Sequence, residues 1–299
     1  MSNHLILDTN VFYDLGDGRL SLGQVRADPA ERICYSPITP LEIAGKWSSR
    51  SFAARRGAAA AILSSGAVEL PDTDTLLIRD IFGYTPDFQR FSFVEGVKAM
   101  ARSATMSELT TGVPDYTGGV VRSVSVAAIG RWRQQVEGDW VKNHIALQSA
   151  TIPGFAEWYD PDPAQRSGEV PKLKGKGKAE FLGQVRSPEF SAALIGDLQK
   201  RALLSVLRDE SLSASEAKVE KYLEAITALA CFCGVYREYF ARLMTGGLLP
   251  RENDSGDIEL FLYSTDDDRV VVTSERKWKS LAEAAGFARR VRTVPLPST

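Results

Sequence analysis

Arg269-Val270-Val271-Val272-Thr273 is the clearest strand in the chain, rich in β-branched residues and followed at once by a helix over about 275–285. The same order recurs at the other end. His4-Leu5-Ile6-Leu7 is a short apolar run that stops at Asp8-Thr9-Asn10, which reads as a buried strand entering a helix. Arg32-Ile33-Cys34-Tyr35-Ser36 is a second strand candidate. After it, Thr39 at an N-cap, Pro40 at N1 and Glu42 at N3 predict a helix start. An alanine-rich helix over about 51–63, a third strand over 67–70, a helix opened by Asp257 and running to about Ser264, and a last strand over about 291–296 complete the pattern. Strands that alternate with helices predict an α/β fold, a central parallel sheet covered on both faces.

The middle of the chain departs from this pattern. From about Phe82 to Gly246 nearly all signals are helical or loop-like. Val219, Tyr222, Leu223, Ile226, Leu229, Ala230 and Cys233 recur at helical spacing, as do Ile129, Trp132, Val136 and Trp140, so each set predicts a buried stripe. Residues 153–178, rich in Pro and Gly, predict a long loop. The simplest organisation is one α/β domain, residues 1–83 and 247–299, interrupted by an all-helical insertion over 84–246 that packs on it.

Composition narrows the class without naming a function. Hydrophobic content of 44% and charged content of 25% are ordinary for a globular protein. The apolar runs fall short of the roughly 20 residues of a membrane span. Met1-Ser2-Asn3-His4 has no basic region leading into an apolar one, so no secretory signal is read there and a cytoplasmic location is expected. Cys34, Cys231 and Cys233 make no disulfide framework, and with His4 and His144 they make a poor zinc set, so they are expected as buried small residues. A net charge of −2 neither advertises nor excludes a nucleic-acid binder, because phosphate contacts need only a local basic patch.

Chemistry enters where strands end. In an open parallel sheet, ligands sit beyond the carboxyl ends of the strands, near the point where strand order reverses. Asp8, Glu42 and Glu275 each follow a predicted strand, and Asp257 begins a helix that leads into one, so all four are expected at one edge. Each also has a plainer reading. Glu42 completes a capping box, and Asp8, Asp257 and Glu275 lie at helix starts, where the macrodipole favours a carboxylate.

These segments resemble the PIN domain, a nuclease family that includes the toxin ribonucleases of bacterial toxin–antitoxin pairs. Asp8 with Asn10 matches the acid after the family's first strand. Ser36 to Glu42 matches the segment of the second acid, Asp257-Ile258 the third, and Thr273-Ser274-Glu275 the Thr-x-acid segment of the fourth. The 18 positions from Asp257 to Glu275 are also the family's usual spacing. The likeness covers roughly the first 80 and last 50 residues. It implies a PIN-like three-layer fold and a metal-dependent endoribonuclease acting on single-stranded or structured RNA. Asp8, Glu42, Asp257 and Glu275 would be catalytic and would bind Mg²⁺ or Mn²⁺, hard cations suited to oxygen ligands. Such an ion acidifies water and neutralises charge on the attacked phosphate. Products with a 5′-phosphate and a 3′-hydroxyl are implied as well. The sequence departs from the family in having Glu275 where Asp is usual, and in the 215 positions between Glu42 and Asp257.

Around the acids, Thr9, Asn10 and Thr273 are candidates to hydrogen-bond the ligands, with helix-start duty as the alternative for the threonines. Asp254 and Glu259 flank Asp257 and could substitute for it or assist, although they read more readily as solvated, and Asp266, Asp267 and Asp268 read as a surface turn. Arg276, Lys277 and Lys279 are the preferred phosphate contacts. Lys172, Lys174, Lys176 and Lys178 offer a second grip, with a solvated loop as the alternative. Arg131-Trp132-Arg133 has the make-up of a stacking site for single strands, although Trp132 fits the buried stripe better. DNA as substrate, an inhibitory protein partner, a homo-oligomer, and roles as toxin, defence nuclease or RNA-processing enzyme stay open; no membrane partner is expected. The rival from another class is a PIN-like module that binds nucleic acid or protein without cleaving. A phosphatase of the haloacid dehalogenase type is a third reading, weakened because Asn10 stands where that chemistry needs a second Asp.

Overall fold

The structure is a computed structural model and describes residues 3–45, 51–83, 93–105, 113–115, 122–124, 126–207 and 219–294. In chain order the elements are β1 (His4–Leu7), α1 (Thr9–Gly16), α2 (Leu22–Val25), β2 (Arg32–Tyr35), α3 (Ile38–Gly45), α4 (Phe52–Ser64) and β3 (Val68–Glu69). Then follow α5 (Thr73–Thr75) with a π-helical turn over Leu76–Ile81, α6 (Val94–Arg102), β4 (Val113–Asp115), β5 (Arg122–Val124), α7 (Val126–Thr151) and α8 (Phe155–Trp158). After them come α9 (Gly175–Val185), α10 (Pro188–Leu207), α11 (Val219–Ala228), α12 (Ala230–Thr245), α13 (Asp254–Glu259) with a 3₁₀ turn over Leu260–Tyr263, β6 (Arg269–Thr273), α14 (Arg276–Ala284) and β7 (Val291–Thr293).

Five strands form one all-parallel sheet in the order β3-β2-β1-β6-β7. Strand order therefore reverses between β1 and β6, which opens a crevice at their carboxyl ends. The pleat sorts side chains to two cores. Leu5, Leu7, Ile33, Tyr35, Val270 and Val272 pack under α1, α4 and α6. Ile6, Cys34, Val271 and Val291 face the other way, against the π-helical turn, α10, α12 and α14. Helices on both faces explain why β1 and β6 are buried along nearly their whole length. Among the described residues, no helix is long and apolar enough to cross a membrane.

The segment over 84–246 is not a separate core. Ile195, Leu198 and Ala202 of α10 and the start of α12 share one continuous cluster with the sheet. Nor is it all-helical, since β4 and β5 pair as an antiparallel ribbon. These strands are three residues each, too short for alternation to show. The single long helix expected through Val219–Cys233 is broken at Leu229, which leaves helical geometry at ψ 11°. Cys231 and Cys233 are buried near the start of α12, and Cys34 is buried in β2. The first residues of the predicted insertion, from 84, the end of the predicted last strand at Leu296, and the side chains of Ile129, Arg131, Val219, Tyr222 and Leu223 lie outside the described residues.

The loop expected over 153–178 is interrupted by α8 and by a 3₁₀ turn at Pro163–Gln165, and it ends as Lys174 caps α9. Gly175 takes φ 56°, the left-handed region that suits glycine, and Lys176 and Lys178 are helical.

One close approach fixes the helix that carries the start of the site. A Cβ on Gly16, the last residue of α1, would stand 2.4 Å from the Gly57 carbonyl carbon on α4. The obstacle is backbone, so it cannot rotate away. Gly16→Ala is expected to destabilise the protein by about 1–3 kcal/mol, the range for overpacking. Gly23→Ala in α2, where nothing lies within 4 Å, should be neutral or mildly stabilising. Urea melts of the two variants check this; equal midpoints would contradict the packing argument.

Candidate active site

Four elements deliver the four acids to the same edge of the sheet. β1 ends one residue before Asp8, whose backbone N–H extends the ladder to the Val272 carbonyl at 2.9 Å. Asp8 is also the N-cap of α1 and accepts the Asn10 N–H at 3.3 Å. Its other oxygen accepts the Thr273 hydroxyl, from the end of β6, at 2.7 Å. Capping is thus part of what Asp8 does, and the shorter bond faces the neighbouring strand.

Glu42 has a different environment from the one its spacing suggests. α3 starts at Ile38, one residue before the expected cap, and the Thr39 hydroxyl is buried without a hydrogen-bond partner. No capping box forms. The Glu42 carboxylate instead accepts from the Thr9 hydroxyl and lies 3.4 Å from the Arg133 guanidinium. Asp257 does not open its helix either; α13 begins at Asp254, and Asp257 accepts from the Trp278 indole N–H at 2.9 Å. Glu275 occupies the N-cap position of α14 but makes no side-chain cap bond. One of its oxygens lies 3.4 Å from the Asn10 amide, and the other lies 3.6 Å from Lys277 Nζ.

Burial dominates the electrostatics. It pushes the Asp8 carboxyl up to about 6 against the hydrogen bonds from Thr273 and Asn10, with the Glu275 charge adding to the rise. Burial also raises Glu42 to about 7, even though Arg133 and Thr9 pull it down. Asp257 is raised well above the usual carboxylate range, first by burial and then by the charges of Asp8, Glu42 and Glu275, with Lys277 opposing. The acids are therefore close enough to repel one another. Among the described residues, however, no three carboxylate, imidazole or thiolate groups converge into a ready-made cation cage. Each carboxylate is held by a donor from the protein. As donors they remain all oxygen with excess negative charge, which suits a hard divalent cation.

Several flanking residues differ from their sequence reading. Asp254 is not solvated. It is buried, accepts the Tyr239 hydroxyl at 2.8 Å, and is paired with Lys277. Glu259 is half-buried beside Arg201. Asp266 and Asp267 are exposed turn residues. Lys277 is drawn inward between Asp254 and Glu275. Lys279 does not face the acids, because its Nζ donates to the Ala288 and Val291 carbonyls at 2.7 and 2.9 Å, at the start of β7. Arg276 is exposed at the first turn of α14, next to Glu275. Lys172 lies against Gly247, and Lys176 is 3.6 Å from Glu180. Among the described residues, no ion pair joins Lys172, Lys174, Lys176 or Lys178 to the four acids.

Sequence reasoning missed the residues that α7 and α4 contribute. Arg133 is buried, with Nε 2.9 Å from Glu137 and Nη2 reaching Glu42. Arg55 is buried too and donates to the backbone carbonyls of Glu42 and Ile43, which anchors the end of α3. Gly256 makes the close approach possible, since a Cβ there would fall 2.3 Å from Arg133 Nη2 and 2.5 Å from Glu42 Oε1. Trp132, expected in the core, is 55% exposed, whereas Trp140 of the same predicted stripe packs against the core and Val136 is half-buried. A cleft of about 60 Å³, room for a few water molecules, lies among Thr9, Asn10, Glu42, Glu137, Asn253 and Asp257. No family model matches the chain, and neither does any curated protein or solved structure.

Proposed function

We propose that the chain is a PIN-like nuclease that hydrolyses phosphodiester bonds in RNA with the help of Mg²⁺ or Mn²⁺. The observation that carries this reading is the row of acids, Asp8, Glu42, Asp257 and Glu275, at the carboxyl edge where strand order reverses. The carboxyls of Asp8, Glu42 and Asp257 are raised by burial and by the charge of their neighbours, an imbalance that a divalent cation relieves. Asp8, Glu42, Asp257 and Glu275 would hold the ion, which when bound acidifies water and offsets charge on the phosphate. Thr273 orients Asp8, Thr9 orients Glu42, and the Trp278 indole orients Asp257. Because Lys277 is committed to Asp254 and Glu275, the exposed Arg276 is the better-placed phosphate contact from α14. Arg133 and Arg55 supply positive charge on the Glu42 side.

A purified preparation should cut single-stranded RNA in Mg²⁺ or Mn²⁺ and spare it in EDTA. Equal cleavage with and without chelator would exclude the oxygen-ligand mechanism. If RNA is bound but left intact in every metal, the non-cleaving binding module takes its place.

A further inference from the structure

A cavity of about 310 Å³ that shares no lining residue with the acidic cleft opens between α7, α10 and α12. Its volume falls at the lower end of the range of small-ligand sites. One side is aromatic. Tyr236 and Phe240 of α12 stack one turn apart, with ring centres at 6.1 Å and planes 13° apart, and Phe190 of α10 stacks on Phe240 at 5.9 Å and 25°. All three are half-buried, so part of each stays uncovered. Rings in near-parallel planes offer a flat apolar face to a planar ligand.

The other side holds a buried polar group that the fold leaves half-satisfied. His144 of α7 lines the cavity at only 7% exposure. Its Nδ1 lies 2.8 Å from the Trp140 carbonyl, one turn back on the same helix. A carbonyl oxygen only accepts, so Nδ1 carries the hydrogen and Nε2 is left as an acceptor. Burial lowers the pKa of the imidazole, which keeps it neutral and in that role. The bond to its own helix turns Nε2 outward, and among the described residues Nε2 has no hydrogen-bond partner. Asp254, whose charge reaches His144, is already taken up by Tyr239, Lys277 and the Arg251 N–H. An acceptor on a side chain this buried ordinarily has a partner.

The rest of the lining narrows the chemistry of that partner. Asn143 and the Asp197 carboxylate stand exposed at the rim, and neither Lys nor Arg lines the cavity. A phosphate would find no cation there, which disfavours a nucleotide or an RNA strand. An imidazole acceptor inside and a carboxylate at the rim both call for N–H donors. We infer that this cavity binds a small, uncharged, planar nitrogen heterocycle with N–H donors, of the aminopurine kind, which lies against Tyr236 and Phe240 and donates to His144 Nε2. The site stands apart from the acids and does not depend on the nuclease reading.

The test titrates the full chain by calorimetry with adenine, with a trimethylated adenine that has no N–H, and with adenosine monophosphate. The parent should bind adenine about tenfold more tightly than the trimethylated ring, the scale of leaving a buried acceptor unpaired. The monophosphate should bind more weakly than adenine. His144→Phe keeps a ring against Trp140 and loses the acceptor, so it should bind the two bases alike, and Phe190→Ala should weaken both. A second measurement needs no variant. The protein has two histidines, and the other, His4, lies on β1, so a ¹⁵N spectrum of the imidazoles reads the site directly. Adenine should shift the His144 Nε2 signal and leave that of His4 in place. No binding by the parent, a preference that survives in His144→Phe, an unmoved His144 signal, or monophosphate bound as tightly as adenine would each overturn the site.

Discussion

Asp8→Asn should lower RNA cleavage by roughly three orders of magnitude, the scale on which loss of one electrostatic partner of a transition state acts. The same substitution should leave the metal-free protein as stable as the parent or more stable. Asp8 and Glu42 are pushed up to about 6 and about 7, from ordinary values of 3.8 and 4.5, with burial as the first cause in each. An acid whose pKa is higher in the folded state takes up protons on folding. Metal-free stability is therefore highest below about pH 4 as far as these groups are concerned, and it falls as pH rises through about 6 and 7. The asparagine removes one charge from that cluster, keeps nearly the same shape, and can still cap α1. Thermal melts of both proteins at about pH 5 and about pH 8, with and without Mn²⁺, read all of this. The parent should melt lower at the higher pH without metal and should recover more than the variant when Mn²⁺ is added. If Asp8 were merely a cap, the variant would cleave normally and Mn²⁺ would treat the two proteins alike.

The second large effect is on stability. Arg133→Ala would strand Glu42 and Glu137 in the interior without the guanidinium that lies 3.4 and 2.9 Å from them. Breaking a buried pair by removing one partner costs about 3–5 kcal/mol, and water in the cleft beside Glu42 and Glu137 puts this pair at the lower end of that range. Here two carboxylates lose their partner where α7 packs on α3. The loss should be smaller at about pH 5, where Glu42 can take a proton, and larger at about pH 8. Arg133→Lys keeps the charge without the planar fork and should restore part of the loss. Melts that coincide with the parent at the higher pH would show that the pair carries no net stabilisation.

What the sequence reveals and what it hides divide along physical lines. β1, β2 and β6 are short apolar runs that stop at polar residues, so their ends, and with them Asp8 and Glu275, can be placed from composition alone. Asp257 lies three residues inside its helix, but a helix start shifted by less than a turn does not move it off the sheet edge. The contribution of α7 was hidden because its buried face is polar. Arg133, Glu137, His144 and Gln148 are all buried and recur at spacings of four, seven and four. A search for apolar periodicity settles on the neighbouring Trp132, Val136 and Trp140 instead. Arg133 and Gln148 find partners that lie far away in the sequence: Glu42 for Arg133, and the Leu243 and Leu248 carbonyls for Gln148. The signal available was the Arg133–Glu137 pair, opposite charges one turn apart on a helix of 26 residues.

The position of β1 at the centre of the sheet bears on when the four acids can meet. One flank of β1 pairs with β2, which follows closely in the chain, and the other waits for β6. The Asp8–Thr273 hydrogen bond closes across 265 positions. At about 5–20 residues per second, a ribosome needs roughly 15–50 s to deliver the second partner. Until then Asp8 and Glu42 stand beside an open flank, with Asp257 and Glu275 still unmade. The four acids therefore come together only once the chain has been made as far as Glu275 and β6 has paired with β1.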